Sequence, residues 1–168
     1  MRYRKAALVA APLVVAAALI VGQTPGGNGP AAPKAFGAAL DSYDEVPPNS
    51  TLAKGRVDMT LTSVSSLDYS LTYSDASSTV ASAHIHFGQS GGVMVVLCGV
   101  GNAPACPATG GTVTGTITPG DVVGPVDQGI APGEFKEFVR AMRRFRAYVN
   151  VDTADFPDGE FGGGVGTG

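Results

Sequence analysis

The sequence predicts a mainly β protein: an antiparallel β-sandwich with one short helix. Several short segments alternate apolar and polar residues, which is the pattern of half-buried strands. Gly (24) and Pro (12) together make about a fifth of the 168 residues and supply many turns. Only 15% of the residues are charged and 44% are hydrophobic. This composition excludes a charge-driven disordered chain and disfavours a helical bundle, and the length fits one ordinary domain.

The N-terminal segment predicts export. Arg2, Arg4 and Lys5 precede an apolar run over residues 6–21, and this order is that of a secretory signal. An uncleaved membrane anchor is the alternative, because the run is long for a signal. We assign residues 1–22 to a signal peptide or N-terminal membrane anchor, 23–33 to a Gly/Pro linker and 34–168 to the folded domain. The expected location is secreted, cell-surface or periplasmic.

The net charge of the chain limits the classes of partner that we expect. Beyond the basic leader, eight Lys and Arg face fourteen acids, which is a net charge of −6. An acidic domain gives no reason to expect nucleic acid. We expect an unknown extracellular protein or polymer as the partner, and membrane contact only through the N-terminal segment if it is not cleaved.

The two cysteines predict a disulfide. Cys98 and Cys106 flank a short Gly/Pro loop, and an even pair in an exported chain is most simply oxidised. The alternative is a thiolate pair for metal or redox chemistry, although the spacing is too long for a CxxC motif.

The strands are predicted from the alternation of apolar and polar residues along the chain. Residues 55–61 and 67–73 each place apolar side chains on one face, and the short break between them indicates a hairpin. Further strands are predicted over 34–41, 80–87, 93–97, 111–118, 145–151 and 159–165. We expect an immunoglobulin-like or superoxide-dismutase-like sandwich. Its predicted core holds Phe36, Leu40, Val57, Leu61, Leu71, Ile85, Val95, Leu97, Ile117 and Val149.

One segment has helical periodicity. Over residues 132–146 the apolar side chains recur at helical spacing, and Pro132 suits a first helical turn. The same segment carries Arg140, Arg143, Arg144 and Arg146. This arginine run is either the solvated face of the helix or a surface for an anionic polymer.

The chain has two histidines, His84 and His86, on a predicted strand. Residues i and i+2 of a strand face the same side, so the two imidazoles are expected to converge. Such a pair suits one Zn²⁺ or Cu²⁺ ion. The candidates for further ligands are carboxylates: Asp152, Asp155, Glu160 and Glu45. The alternative is two exposed histidines on an edge strand without a metal.

Other catalytic patterns are weaker. The sequence has no GxSxG motif and no evident Ser–His–Asp arrangement. Asp44 and Glu45 could serve as acid and base, but two acids beside prolines are more typical of a solvated turn. Asn150 is expected either to cap a turn or to lie near the histidines.

The order of the motifs resembles that of a known family. Glu45-Val46-Pro47-Pro48 is followed by Ala83-His84-Ile85-His86-Phe87-Gly88, then by Ala147-Tyr148-Val149-Asn150-Val151-Asp152-Thr153, then by Pro157-Asp158-Gly159-Glu160. In this order and spacing the chain resembles the CHRD (chordin-type) domain of exported bacterial proteins. The resemblance covers about residues 34 to 165.

The resemblance implies an extracellular binding or interaction unit. In chordin, the module belongs to an antagonist of bone morphogenetic proteins. The late motif of the family usually has the sequence YVNVHT, and in this chain Asp152 stands at the position of that histidine. The following GEIRGQ pattern is also altered, to GEFGGG. Two histidines and one carboxylate remain a workable ligand set.

Two functions follow from these observations. The first is an exported, non-catalytic binding module, with metal binding through His84 and His86 and, as tentative ligands, Asp152 and Glu45. The alternative is a metalloenzyme with His84, His86 and a carboxylate as ligands and with Glu45 or Glu160 as acid/base.

Overall fold

The computed structural model describes residue 32 and residues 34–168, and the predicted leader and most of the linker lie outside them. The described part contains nine β-strands and one α-helix. No helix among these residues is long and apolar enough to cross a membrane. In chain order the elements are β1 (Ala35–Asp41), β2 (Lys54–Ser63), β3 (Ser66–Ser74), β4 (Val80–Phe87), β5 (Val93–Cys98), β6 (Gly111–Ile117), α1 (Phe135–Arg143), β7 (Ala147–Thr153), β8 (Phe161–Gly164) and β9 (Gly166–Thr167).

The strands form one antiparallel sheet that curls into a nearly closed sandwich. Its order is β5-β4-β7-β8-β1-β2-β3-β6, and the short β9 pairs with β1. The predicted fold class, mainly β with one short helix, is confirmed. The strand that carries both histidines, β4, lies between β5 and β7.

The predicted hairpin is formed by β2 and β3. Val57 pairs with Leu71, and Met59 pairs with Tyr69, so that inward side chains face inward partners across the pair. All four are buried. Every residue of the predicted core is buried apart from Leu61, which is half-buried and packs against the core. Alternation thus fixes the register, because a slip by one residue would turn this apolar face to solvent.

The end strand β5 contacts the other end of the curled sheet at β3 and at the segment after β6. The hydroxyl of Tyr69 donates a 2.6 Å hydrogen bond to the carbonyl oxygen of Leu97. Val95 of β5 also forms an isolated bridge with Val122, which follows β6 in the chain. The first contact joins β5, at one end of the strand order, to β3, the last strand but one at the other end, and the second joins β5 to the segment after β6. Together they bring the sheet close to closure.

The helix α1 is shorter than the sequence predicts. It spans Phe135–Arg143 rather than 132–146, with Glu134 at the N-cap position. The apolar face is buried as predicted, through Phe135, Phe138, Val139, Ala141 and Met142.

The predicted strand boundaries near the C-terminus are also shifted. Phe145 has φ +56°, a left-handed conformation that ends the helix, so that β7 begins at Ala147 rather than at residue 145. The predicted strand 159–165 is shorter in the structure, where β8 spans Phe161–Gly164, and the short β9 at Gly166–Thr167 lies just beyond the predicted range.

The disulfide between Cys98 and Cys106 is present, with the Cα atoms 5.2 Å apart. It ties the end of β5 to the loop that precedes β6. The amide of Gly99 also donates to the carbonyl of Pro104 inside this loop. The disulfide prediction is confirmed.

The closing hydrogen bond predicts a measurable loss of stability. Tyr69→Phe removes the hydroxyl and leaves the buried carbonyl of Leu97 without its donor. We expect the free energy of unfolding to fall by about 1–2 kcal/mol, measured by urea denaturation with the disulfide intact. Tyr43→Phe is the matched control, because Tyr43 is 70% exposed. Equal effects of the two substitutions would refute this closing role.

Candidate functional site

Two imidazoles lie on the outer face of β4. Ala83 and Ile85 point into the core, and the residues that alternate with them, His84 and His86, point outward. The ring centroids of His84 and His86 are 5.8 Å apart, and the ring planes are perpendicular. The rings therefore lie together on one face, as the i, i+2 spacing predicts.

The ring of His86 is held through one nitrogen. Its Nδ1 lies 2.8 Å from the carbonyl oxygen of Gly91, in the turn between β4 and β5. A carbonyl oxygen only accepts, so Nδ1 carries the proton and donates. In the neutral ring, Nε2 then carries the lone pair. This Nε2 is buried and has no hydrogen-bond partner within the described part of the chain.

The ring of His84 is held by a carboxylate. Its Nδ1 lies 3.2 Å from Oδ2 of Asp152. The same Oδ2 accepts from the hydroxyl of Ser82 at 2.7 Å, and Oδ1 accepts from the side-chain amide of Asn150 at 2.8 Å. Asp152 is only 8% exposed. Both of its oxygens are therefore used within the protein, and Asp152 fixes the position of His84.

A second carboxylate covers the outer face from the other side. Glu45 follows the 3-10 turn Ser42–Asp44 and is buried rather than solvated, which corrects the solvated turn expected for it. It fits because Gly159 and Gly162 lie beneath it. A Cβ at Gly162 would come within 2.6 Å of Oε2 of Glu45, and a Cβ at Gly159 within 2.8 Å of its Cδ.

The surroundings of Glu45 favour its protonated form. Burial raises the pKa of Glu45, and the negative charge of Asp152 raises it further. The amide of Val46, which donates to Oε1 at 2.8 Å, and the nearby hydroxyl of Tyr148 oppose this rise in pKa. The other oxygen, Oε2, is buried without a partner among the described residues, as is Oδ1 of Asn150.

The structure separates the predicted carboxylates. Asp152 contacts His84, and Glu45 lies against the glycines beside Asn150. Asp155 is exposed. Glu160 is fully buried, and its carboxylate accepts from the amide of Ser77.

Several residues of the cluster were not predicted from the sequence. Ser82 and Tyr148 share the face of the histidines, and the strand alternation of Tyr148, Asn150 and Asp152 was a signal that could have found part of the network. The hydroxyl of Tyr148 donates to the carbonyl of Asp44 at 2.7 Å and so fastens the loop that carries Glu45. The carbonyl of Gly91 carries no signal in the sequence.

The cluster does not assemble a complete metal centre from side chains. Within the described residues, no group of three or more His, Cys, Asp or Glu side chains is arranged to hold a metal ion. The nitrogen donors on this face are the two imidazoles, each with its Nδ1 next to an oxygen.

Fold and site together define a small, disulfide-bonded, mainly β domain with a polar cluster on the outer face of its sheet. The family description for the CHRD domain matches residues 36–165. This match covers well over half of the chain, and the chain belongs to the CHRD domain family. Comparison with curated proteins and with solved structures gave no significant match.

The raised pKa of Glu45 predicts a pH-dependent stability. The folded state binds the proton of Glu45 more tightly than the unfolded state, so this contribution is present below the unfolded pKa of 4.5 and is lost as the pH rises through the folded pKa. Glu45→Gln keeps the shape and removes the titration. We expect Glu45→Gln to gain stability relative to the wild type between pH 4 and pH 7, in urea denaturation with EDTA present.

Asp44→Asn is the control for that measurement, because Asp44 is the exposed neighbour of Glu45. Its pH profile should follow that of the wild type. Parallel wild-type and Glu45→Gln profiles over this range would contradict a raised pKa.

Proposed function

We propose that this CHRD domain is an exported, non-catalytic binding module that holds one Zn²⁺ or Cu²⁺ ion through the Nε2 atoms of His84 and His86. The observation that carries the proposal is the way in which each ring is held. The Nδ1 of His86 faces the carbonyl of Gly91, and the Nδ1 of His84 faces the carboxylate of Asp152. Imidazole ligands of metal ions usually donate their other N–H to such an oxygen.

The separation of the rings suits one shared ion. With metal–nitrogen bonds of about 2.0–2.1 Å, two imidazoles on a tetrahedral ion have centroids roughly 5–6 Å apart. The observed 5.8 Å between His84 and His86 falls in this range. The buried, unpartnered Nε2 of His86 adds support, because a buried acceptor without a donor is costly unless something binds it.

The carboxylates have different roles in this proposal. Asp152 is a tentative ligand by its spacing, but its two oxygens already serve Ser82, Asn150 and His84. Its role is to orient the ring of His84. Glu45 keeps Oε2 without a partner, and it is therefore the carboxylate with an oxygen left to offer.

An ion held by two imidazoles keeps open coordination positions. Structural zinc sites use four protein ligands and catalytic ones commonly three. The open positions favour a role in which a donor from a partner completes the coordination. We further propose that the chain acts outside the cytoplasm, since it combines a signal-like leader with a disulfide.

The alternative function is a metalloenzyme at the same cluster. The raised pKa of Glu45 favours this alternative, because a buried carboxyl group that holds its proton more tightly is better suited to act as a general acid. This alternative requires metal-dependent turnover that Glu45→Gln abolishes while metal affinity persists.

Metal titration tests the proposal. We expect protein recovered from the periplasm or medium and stripped with EDTA to bind one equivalent of Zn²⁺ or Cu²⁺ in calorimetry. His86→Gln should lose at least about 100-fold in affinity, and Asp152→Asn, which loosens His84, about 10- to 100-fold. Asp155→Asn, an exposed carboxylate on the following loop, should bind as the wild type does.

The metal site would be rejected if the exported protein contained no metal and also gave no heat of binding. It would be rejected as well if the wild type and His86→Gln bound metal with equal affinity. The same conclusion would follow if Asp152→Asn and Asp155→Asn lost equal amounts of metal affinity. Hydrolysis of a nitrophenyl ester by the Zn²⁺-loaded protein, lost in Glu45→Gln, would favour the metalloenzyme instead.

A further inference from the structure

We propose that the surface at the end of α1 binds an anionic polysaccharide, independently of the histidine site. Arg140, Arg144 and Arg146 line a groove of about 360 Å³, which we call the arginine groove. Its apolar part is formed by Phe87, Ile130 and Ala141. Glu137 also lines the groove and is paired with Arg140, so that the lining keeps a net positive charge. A groove with a net positive charge and an apolar lining suits a sugar ring that carries an oxyanion.

Most of the positively charged residues of the domain lie on α1 and directly after it. Five of the eight Lys and Arg residues beyond the leader lie between positions 136 and 146, although the domain as a whole is acidic. Arg140 pairs with Glu137. Arg144 and Arg146 are exposed and form no ion pair with any residue that the structure describes. Their guanidinium groups remain available for bidentate contacts with sulfate, phosphate or carboxylate.

The fold does not need these side chains to finish the helix. The amide of Phe145 donates to the carbonyl oxygen of Met142 at 3.0 Å. The amide of Arg146 donates to the carbonyl oxygen of Ala141 at 2.9 Å. These two bonds are the pattern of a Schellman motif, which satisfies terminal carbonyls with backbone donors. The guanidinium groups of Arg144 and Arg146 are therefore not required as caps.

The conformation and exposure of Phe145 support a binding surface here independently of the arginines. Phe145 occupies the left-handed position of the motif with φ +56°, where glycine is the usual residue, and its side chain is 63% exposed. An aromatic residue here is disfavoured both by its backbone conformation and by its exposure. Neither helix termination nor core packing requires the ring. A binding role explains why it is present.

Phe145 and the arginine groove form one surface. Arg146 lines the arginine groove and also the adjoining groove that contains Phe145 and Gln89. An aromatic ring beside arginines can stack on the apolar face of a sugar while the arginines bind its charged substituent. Asp44 also lines the adjoining groove, which disfavours nucleic acid, with a phosphate at every nucleotide. A polysaccharide has neutral ring faces between its charged groups, and it therefore fits a surface on which arginines, an aromatic ring and a carboxylate lie side by side.

Binding to defined polymers tests the proposal, with EDTA present to remove any role of metal. We expect binding to dextran sulfate and polygalacturonate, weaker binding to polyphosphate of similar length, and none to neutral dextran. The Arg144→Gln/Arg146→Gln double variant should bind both acidic polysaccharides at least about tenfold more weakly. Lys54→Gln/Arg56→Gln is the matched control, because it removes the same charge from exposed residues on β2.

Phe145→Gly separates binding from folding. Glycine relieves the left-handed conformation, so the thermal midpoint should stay equal or rise by up to about 3 °C. Affinity for the two acidic polysaccharides should nevertheless fall about threefold to tenfold, while affinity for polyphosphate is unchanged. Equal losses in the two double variants, tightest binding to polyphosphate, or full polysaccharide affinity in Phe145→Gly would each overturn the proposal.

Discussion

Burial of β7 on both faces is the constraint on which the site depends. One face contributes Val149 and Val151 to the core, and the other carries Tyr148, Asn150 and Asp152, all at most 8% exposed. Polar groups removed from water must find partners inside the protein. The outer face of this strand consequently carries a polar network. It reaches β4 through the contacts of Asp152 with Ser82 and His84, and it reaches the loop after β1 through the hydrogen bond from Tyr148 to the carbonyl of Asp44. The position of the His84 ring follows from that requirement, whereas the ring of His86 is held by the carbonyl of Gly91.

Covering the outer face of β7 requires small residues on β8 and before it. Glu45 reaches the polar network only because Gly162 lacks a side chain and because Gly159, with φ +125°, lets the chain turn beneath the carboxylate. A Cβ at Gly162 would also meet the hydroxyl of Tyr148 at 2.2 Å. The C-terminal segment has the sequence GEFGGG where the family has GEIRGQ. At Gly159 and Gly162 of this segment, side chains would collide with the polar network. Its glycines therefore allow the backbone to lie close to Glu45 and Tyr148, and do not serve turns alone.

The alternation of apolar and polar residues predicts where the strands lie, but it does not predict where they end. It also predicts which strand face carries the site, but not the contacts that the site residues make. The hairpin of β2 and β3 and the facing of His84 and His86 follow from period-two alternation, which is a local property. The burial of Glu45 does not, because it depends on glycines more than a hundred residues away in the chain. The start of β7 was predicted too early, since the alternation around Phe145 conceals its left-handed conformation. The carbonyl that holds His86 belongs to Gly91 and has no side-chain signal.

The aspartate in place of the histidine of the YVNVHT pattern changes what this position can do. Asp152 lies near three donors at once: the hydroxyl of Ser82, the amide of Asn150 and the ring of His84. A neutral imidazole has one acceptor nitrogen and one donor, so it could not serve all three. An imidazole there would instead point a lone pair at one target, as a metal ligand does. With aspartate, the position holds the ring of a neighbouring histidine, and His84 and His86 remain the nitrogen donors of this face. In the proposed metal site, fewer protein donors leave more of the coordination to a partner, which favours a binding module over a closed structural centre.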